Sequence, residues 1–99
     1  MNFNGVKYEF TATTWQYSGA TWVFVSLPQE MSKEIRMYFK SEEEGWGRLK
    51  TTARVGSSQW ETAIWFDTKA NTYILPLKAE IRKKENIVVD QSVSVIVII

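Results

Sequence analysis

Apolar and polar residues alternate over two stretches of the chain. The first runs from Val6 to Trp15, with an apolar residue at every second position up to Ala12. The second runs from Trp46 to Val55, where Leu49 and Ala53 lie opposite a row of basic residues. A period of two residues is typical of a strand with one buried face. The pattern therefore predicts an amphipathic strand in each stretch.

Four other stretches are rich in β-branched and aromatic residues and are bounded by turn residues. Such runs are typical of strands. The run from Trp22 to Leu27 is apolar on both faces, and we expect it to form a hairpin with the first strand. The remaining predicted strands are Trp60–Phe66, Thr72–Leu75 and Ser92–Ile99.

A Leu-Pro pair follows two of these runs, at Leu27-Pro28 and at Leu75-Pro76. Proline lacks the N–H that a central strand needs, and its fixed φ suits the first turn of a helix. Each pair is therefore predicted to end a strand and open a helix. One helix is predicted over Gln29 to Phe39 and the other from Pro76 to about Lys84, with Asn86 as its left-handed end.

The predicted elements repeat in order: strand, strand, helix, strand, and then the same four again. Short strands joined by hairpins lose their exposed edges when the sheet closes on itself. The sequence therefore predicts an all-β fold, a small closed barrel of six strands built from two ββαβ halves. Two short helices are expected to plug or flank this barrel.

The last predicted strand has valines on one face, while its other face changes from serine to isoleucine at Ile96 and Ile98. Isoleucines exposed on a flat strand promote aggregation. We therefore expect this second face to be covered, either by a helix of the same chain or by a second copy in a homodimer. Ordinary burial in a monomer is the simpler alternative.

Composition bounds the class of protein. Fourteen of the 99 residues are aromatic, and five of these are tryptophan, so we expect an aromatic core in a single domain. Twelve basic residues balance eleven acidic ones. Such a chain has no net field to attract nucleic acid or anionic lipid.

Cysteine and histidine are both absent from the sequence. Their absence removes disulfides, thiolate nucleophiles, histidine bases and zinc sites built on sulfur or imidazole. The sequence also contains no glycine-rich phosphate loop and no apolar run of membrane-spanning length. We therefore expect a soluble cytoplasmic protein that is not an enzyme and needs no cofactor or metal.

Several of these residues together resemble the bacterial family called domain of unknown function 1905. The residues that carry the resemblance are Phe10-Thr11-Ala12 with Trp15, the run Trp22–Pro28, and Tyr73–Leu77 followed by Ile81-Arg82-Lys83. The resemblance covers Tyr8 to Ile99 and implies a small β-barrel of the double-split kind, without a function. At Val89-Asp90 the family has Gly-Asp before the last strand, so the resemblance implies a different turn there.

The candidate binding residues are Trp15, Arg48, Trp65 and Arg82. The two tryptophans fall on the outer faces of their strands, where an indole can cap a groove or stack on a base. Packing at the barrel end is the alternative for both. Arg48 begins a basic row with Lys50 and Arg54 that can follow phosphates, and a solvated row paired with acids is the alternative. Arg82 either binds a ligand or caps backbone carbonyls.

Two carboxylates, Glu9 and Glu61, lie in predicted strands, so they are the acids able to form a rigid acid–base pair. Cross-strand ion pairs with Lys7 or Arg48 are the alternative explanation. Residues 42–44 are three consecutive glutamates and are expected in a solvated loop.

These features indicate a binding or interaction module for an unknown small ligand or protein partner. The main alternative is a nucleic-acid-binding barrel, by analogy of architecture with bacterial transcription regulators. Such proteins gather basic residues on one exposed face, which the balanced charge of this chain does not favour. An enzyme that acts through carboxylates alone is the least favoured alternative.

Overall fold

Seven antiparallel strands form one sheet in the computed structural model of the chain, which describes residues 5–99. Two α-helices pack against this sheet around a shared core, so the prediction of a mainly β fold with two helices is confirmed. The elements are β1 (Lys7–Thr13), β2 (Trp15–Gln16), β3 (Val23–Ser26), α1 (Gln29–Phe39), β4 (Arg48–Val55), β5 (Ser58–Asp67), β6 (Thr72–Leu77), α2 (Ala79–Glu85) and β7 (Ser92–Ile98).

The strands lie in the order β1, β7, β4, β5, β6, β3, β2 across the sheet. β1 and β2 follow one another in the chain with only Thr14 between them, yet they lie at opposite edges. The sheet therefore curls until its two edges approach each other at this residue. It is an open half-barrel of seven strands, and the predicted closed barrel of six strands is wrong.

The half-barrel stays open because β3 is short and the chain leaves it to form α1. On the side of β3 away from β6, only the two residues of β2 pair with it, and β3 ends at Ser26. α1 then packs beside β1, where Tyr8 faces Glu34 and Tyr38 of the helix. The predicted hairpin between the first two strands is reduced to this short pairing, because β1 instead pairs along its whole length with β7.

α1 has the predicted bounds, Gln29–Phe39. The carbonyl of Pro28 accepts a hydrogen bond from the N–H of Ser32 at 2.9 Å, which starts the helix as predicted. Ile35 is fully buried in the core. The hydroxyl of Ser32 accepts a hydrogen bond from the backbone N–H of Tyr73 at 3.0 Å, so the helix is also tied to β6.

Pro76 lies inside β6, so the prediction that Leu75-Pro76 ends a strand and opens a helix is wrong. The carbonyl of Tyr73 accepts a hydrogen bond from Leu27, and backbone groups alternate sides along a strand. At Pro76, the side of the backbone where other residues have an N–H therefore faces β5 and not β3. The pairing of β5 with β6 ends at Ile74, so the proline removes no ladder hydrogen bond.

α2 consequently begins at Ala79 and not at Pro76. It ends as predicted at Asn86, which has φ 56° and ψ 45°, a left-handed conformation that asparagine tolerates. Just before this end, the carboxylate of Glu85 accepts a hydrogen bond from the hydroxyl of Ser58 at 2.6 Å. That bond holds the helix at the turn between β4 and β5 and lowers the pKa of Glu85.

Thr14 is fully buried and makes four hydrogen bonds to the segment before β7. Its hydroxyl donates to the carbonyl of Val88 at 2.6 Å and accepts from the N–H of Gln91 at 3.1 Å. Its own N–H donates to the carbonyl of Gln91 at 2.9 Å, and its carbonyl accepts from the N–H of Asp90 at 3.0 Å. One residue thus fixes the bend between β1 and β2.

The turn into β7 lacks the glycine that the family has at residue 89, and a different turn was therefore expected. Asp90 is the residue with a left-handed backbone there, at φ 69°. Aspartate tolerates this conformation better than a β-branched residue does. Val89 lies outside the left-handed region, and the Val89-Asp90 pair is therefore compatible with a tight turn.

β7 lies between β1 and β4, with its valines buried. Ile96 and Ile98 lie on the outer face and are half-buried. Their neighbours across the strands are Glu9, Arg54, Lys7 and Thr52. The aliphatic stems of the three long side chains among these neighbours shield apolar surface. Both helices contribute buried residues to the core on the valine face, so the expected cover by a helix of the same chain is wrong. Cover by a second copy stays a prediction.

Glu43 is largely buried, so the expected solvated loop over residues 42–44 is wrong at its centre. Its carboxylate accepts a short hydrogen bond from the hydroxyl of Tyr73 and lies 3.5 Å from Nε of Arg36. Burial raises the pKa of Tyr73 above its ordinary value, and the hydrogen bond to Glu43 raises it further. This cluster fastens the end of α1 to β6.

Replacing Thr14 with valine tests whether its hydroxyl fixes the bend. The variant keeps the shape of the side chain but leaves the carbonyl of Val88 and the N–H of Gln91 without their buried partner. We expect Thr14→Val to lower the free energy of unfolding by about 2–4 kcal/mol in urea titrations. Thr11→Val, at an exposed position of β1, is the control and is expected to change it by less than about 0.5 kcal/mol. Equal effects of the two changes would contradict this role for Thr14.

The raised pKa of Tyr73 predicts a loss of stability in alkali. Above about pH 10 the unfolded chain releases the phenol proton while the folded protein retains it. The folded state then binds more protons, so the free energy of unfolding falls as the pH rises. We expect urea titrations to give a steeper fall above pH 10 for the natural chain than for Tyr73→Phe. Parallel curves for the two proteins would show that Tyr73 does not control this region.

Candidate functional site

The strand register places four residues directly opposite one another across the sheet. They are Arg48 in β4, Trp65 in β5, Ile74 in β6 and Ser26 in β3. Residues opposite each other in a sheet share a face. Trp65 is 37% exposed, so this row lies on the outer, convex face of the half-barrel, as the sequence predicted for this tryptophan.

Trp15 also lies on the outer face, but other aromatic rings enclose it. Its ring stacks on Phe24 at 5.0 Å and contacts the edge of Tyr17 at 5.0 Å. Its Nε1 donates a hydrogen bond to the hydroxyl of Ser26 at 2.9 Å. Trp15 is therefore half-buried and supports Tyr17, which is 53% exposed.

Trp46 lies at the tip of a tight loop and is 93% exposed. Its backbone is left-handed, with φ 65° and ψ 29°, a conformation that bulky residues rarely adopt. Backbone hydrogen bonds of 2.7 and 3.2 Å between Glu44 and Arg48 close the loop. The strand predicted from Trp46 therefore begins at Arg48. Alternation alone did not mark Trp46 as a candidate, although the glycines on both sides of it were a signal of a turn.

Gly47 places this loop against the sheet. Its φ is 76°, and a Cβ added to it would lie 3.0 Å from Cβ of Phe66 and 3.3 Å from the backbone nitrogen of Phe66. Only glycine allows both the left-handed backbone and this close approach. The loop can therefore hold Trp46 beside the end of β5.

Tyr17, Trp46 and Trp65 line an open groove of about 470 Å³, which we call the aromatic groove. Phe66 and Ile74 add to its apolar lining, and residues 67–69 supply polar groups. Sites for small ligands commonly enclose about 300–1,000 Å³ and are lined by apolar and aromatic side chains with a few polar groups. The groove has the size and lining of such a site, although it is open to solvent.

Two charged groups beside the aromatic groove, Asp67 and Arg48, contact other groups of the protein. Oδ1 of Asp67 accepts hydrogen bonds from the N–H groups of residues 69 and 70, at 3.0 and 3.3 Å. The guanidinium of Arg48 lies 2.5 Å from the carboxylate of Glu44 and 5.8 Å from the centre of the Trp65 ring. Arg48 therefore contributes to the surface as part of an ion pair beside an indole.

Two other basic candidates also contact protein groups. Nζ of Lys50 lies 3.9 Å from the same Glu44 carboxylate that binds Arg48. Arg82 donates hydrogen bonds to the carbonyl of Leu77 at 2.9 Å and to the carbonyl of Thr21 at 3.5 Å. The structure thus places Arg82 where it caps backbone carbonyls, apart from the aromatic groove.

The two strand carboxylates lie far apart. Glu9 is on β1 and Glu61 on β5, and two strands separate β1 from β5. At a spacing of about 4.8 Å between strands, this places them about 14 Å apart, too far to share a proton. Within residues 5–99 no cluster of three metal-ligating side chains occurs. None of the helices described for the chain has the length and hydrophobicity to cross a membrane.

Comparison with protein families gives a match over most of the chain. The family model described as "Domain of unknown function (DUF1905)" matches residues 10–97. No curated protein matches the chain. The matched range contains every residue of the aromatic groove, but the description assigns it no ligand or activity.

Replacing Trp46 with glycine tests whether this residue contributes to folding. Glycine adopts the left-handed backbone without strain, and the exposed indole contributes little burial. Relief of about 1–2 kcal/mol of left-handed strain exceeds the roughly 0.5–1 kcal/mol that glycine costs through the entropy of the unfolded chain. We therefore expect Trp46→Gly to raise the free energy of unfolding by about 0.5–1 kcal/mol in urea titrations. Asn71→Gly, at φ 60°, is the control and is expected to change it by less than about 0.5 kcal/mol, because asparagine tolerates this conformation. A loss of more than about 1 kcal/mol for Trp46→Gly would show that the indole stabilises the fold.

Proposed function

The chain belongs to this family of unknown function, and from the geometry of the aromatic groove we propose that it is a small binding module without catalytic machinery. The proposal concerns a ligand or protein partner that buries the exposed indoles of Trp46 and Trp65. Tyr17, on the third side of the groove, is proposed to complete the contact surface. We propose that this binding takes place in the cytoplasm, consistent with a chain that lacks cysteine.

The observation that carries the proposal is the conformation of Trp46. A left-handed backbone costs a bulky residue about 1–2 kcal/mol, and a side chain that is 93% exposed returns little of this by packing. Strained residues cluster at functional sites. Burial of one indole against a partner removes about 150–250 Å² from water, which at about 25 cal/mol per Å² amounts to roughly 4–6 kcal/mol before the costs of association. Binding of a partner can therefore offset the cost of the left-handed backbone at Trp46, which packing within the folded chain does not offset.

The residue types in the groove also favour binding. Tryptophan, tyrosine and arginine are the residues that most often dominate the affinity of an interface. The groove presents two tryptophans and a tyrosine, with the Arg48 guanidinium 5.8 Å from the Trp65 ring. Asp67 is the one carboxylate on the lining, and two backbone N–H groups bind its Oδ1. An acid–base pair of carboxylates would need a second carboxylate beside it.

The alternative of a nucleic-acid-binding barrel rests on likeness of architecture, and the basic row offers it limited support. Arg48 and Lys50 share the carboxylate of Glu44. This sharing lowers the positive charge that the row presents to phosphates. We therefore keep the aromatic groove, and not the basic row, as the proposed binding surface. A monomer and a homodimer both remain compatible with it.

Fluorine NMR of the chain labelled with 5-fluorotryptophan tests the proposal. A library of aromatic and heterocyclic fragments is added, and the five tryptophan signals are assigned with single Trp→Phe variants. We expect fragment hits to shift the signals of Trp46 and Trp65. The signal of Trp60, which is 8% exposed in the core, is the internal control and is expected to stay in place.

Two outcomes would contradict this proposal. One is a set of hits that shifts Trp22 or Trp15 and leaves Trp46 and Trp65 unchanged, because the binding surface would then lie elsewhere. The other is a library without any saturable hit, because binding sites of this size and lining normally accept small aromatic fragments.

A further inference from the structure

We infer that the aromatic groove binds a proline-rich peptide segment in the polyproline II conformation. This inference rests on the binding function proposed above and specifies the class of partner. Three properties of the groove support this class. They are its position on the sheet, the hydrogen-bonding groups that line it, and its charge.

The groove lies on the face of the sheet and not at an edge. Its central residues, Trp65 and Ile74, are paired with each other in β5 and β6, and these strands have neighbours on both sides. Their backbone N–H and C=O groups are therefore used by the sheet itself. A peptide cannot bind here by adding a strand, so the side chains of the groove must provide the contacts.

The side chains of the groove mainly offer hydrogen-bond donors. The indoles of Trp46 and Trp65 and the ammonium of Lys69 can only donate. The hydroxyls of Tyr17 and Thr68 can donate as well as accept. The lining has one carboxylate, Asp67, and two backbone N–H groups already bind its Oδ1. The matching ligand supplies acceptors and few donors. Proline fits this requirement because each residue has a carbonyl but no N–H.

The exposed rings suit the flat apolar faces of proline. Tyr17, Trp46 and Trp65 are 53%, 93% and 37% exposed, so each offers ring surface for contact. A polyproline II segment has no internal hydrogen bonds and turns its carbonyls to solvent. It is also already ordered before binding, so it loses little conformational entropy in an open groove. Aromatic-lined grooves bind proline-rich segments for these reasons.

Charge separates such a peptide from single-stranded nucleic acid, which also stacks on exposed aromatic rings. Binding of phosphates depends on cations that are free to neutralise them. Here Arg48 is paired with Glu44 at 2.5 Å, and the lining itself has one cation, Lys69, and one carboxylate, Asp67, so its net charge is close to zero. The groove therefore favours an uncharged backbone over a polyanion.

Titration of the 5-fluorotryptophan-labelled chain with a short oligoproline peptide tests the inference. We expect saturable shifts of the Trp46 and Trp65 signals with a Kd of about 1 mM or tighter. Trp46→Ala is expected to weaken binding at least about tenfold, as for a residue that dominates an interface. Tyr38→Ala is the matched control, because Tyr38 is an aromatic residue on α1 that is 66% exposed and lies outside the groove. It is expected to leave the Kd unchanged.

A glycine–serine peptide of equal length and a single-stranded oligonucleotide complete the experiment. Equal binding of the glycine–serine peptide would overturn the inference, and so would binding of the oligonucleotide without binding of oligoproline. If fragments shift Trp46 and Trp65 but oligoproline does not, the inference fails while the proposed binding function stands. If neither shifts these signals, both fail.

Discussion

The hydrogen bonds of Thr14 are the interaction on which the rest of the structure depends. The residue joins two strands that lie at opposite edges of one sheet, and it has no exposed surface. Its hydroxyl, N–H and carbonyl are all bound to residues 88–91. These bonds fix the bend that curls the sheet, so that the concave face encloses the core while the convex face stays open.

The aromatic groove follows from this bend. Tyr17 comes just after β2, and β2 is at the far edge of the sheet from β1. The bend carries this segment around to β3, so that Tyr17 reaches the surface that Trp65 and Ile74 form in the middle of the sheet. Tyr17 and Trp46 are distant in sequence but line the same groove. The curled sheet places Tyr17 there, and the glycine-flanked loop places Trp46.

The groove lining also contacts side chains of α1 and of the buried cluster around Glu43. The guanidinium of Arg36, on α1, lies 3.8 Å from the centre of the Phe66 ring, and its Nε lies 3.5 Å from the buried Glu43 carboxylate. Phe66 is at once part of the groove lining and the surface on which Gly47 rests. A ligand in the groove would thus contact side chains that the helix and the sheet already hold in place, which limits the entropy lost on binding.

The sequence by itself determined the features that depend on near neighbours in the chain. Alternation identified the buried face of β4, Pro28 marked the start of α1, and Asn86 marked the end of α2, because each signal is contained within a few residues. It also gave Trp65 and Arg48 as separate candidate binding residues, and the strand register places them opposite each other. The tertiary structure alone decided the long-range features. Pairing of β1 with β7, the place of Pro76 inside β6 and the burial of Glu43 each depend on residues distant in sequence. A proline is tolerated inside a strand only where the neighbouring strand needs no hydrogen bond from it, and a buried glutamate only where another residue binds its carboxylate. Local propensity cannot predict which distant segment meets these conditions.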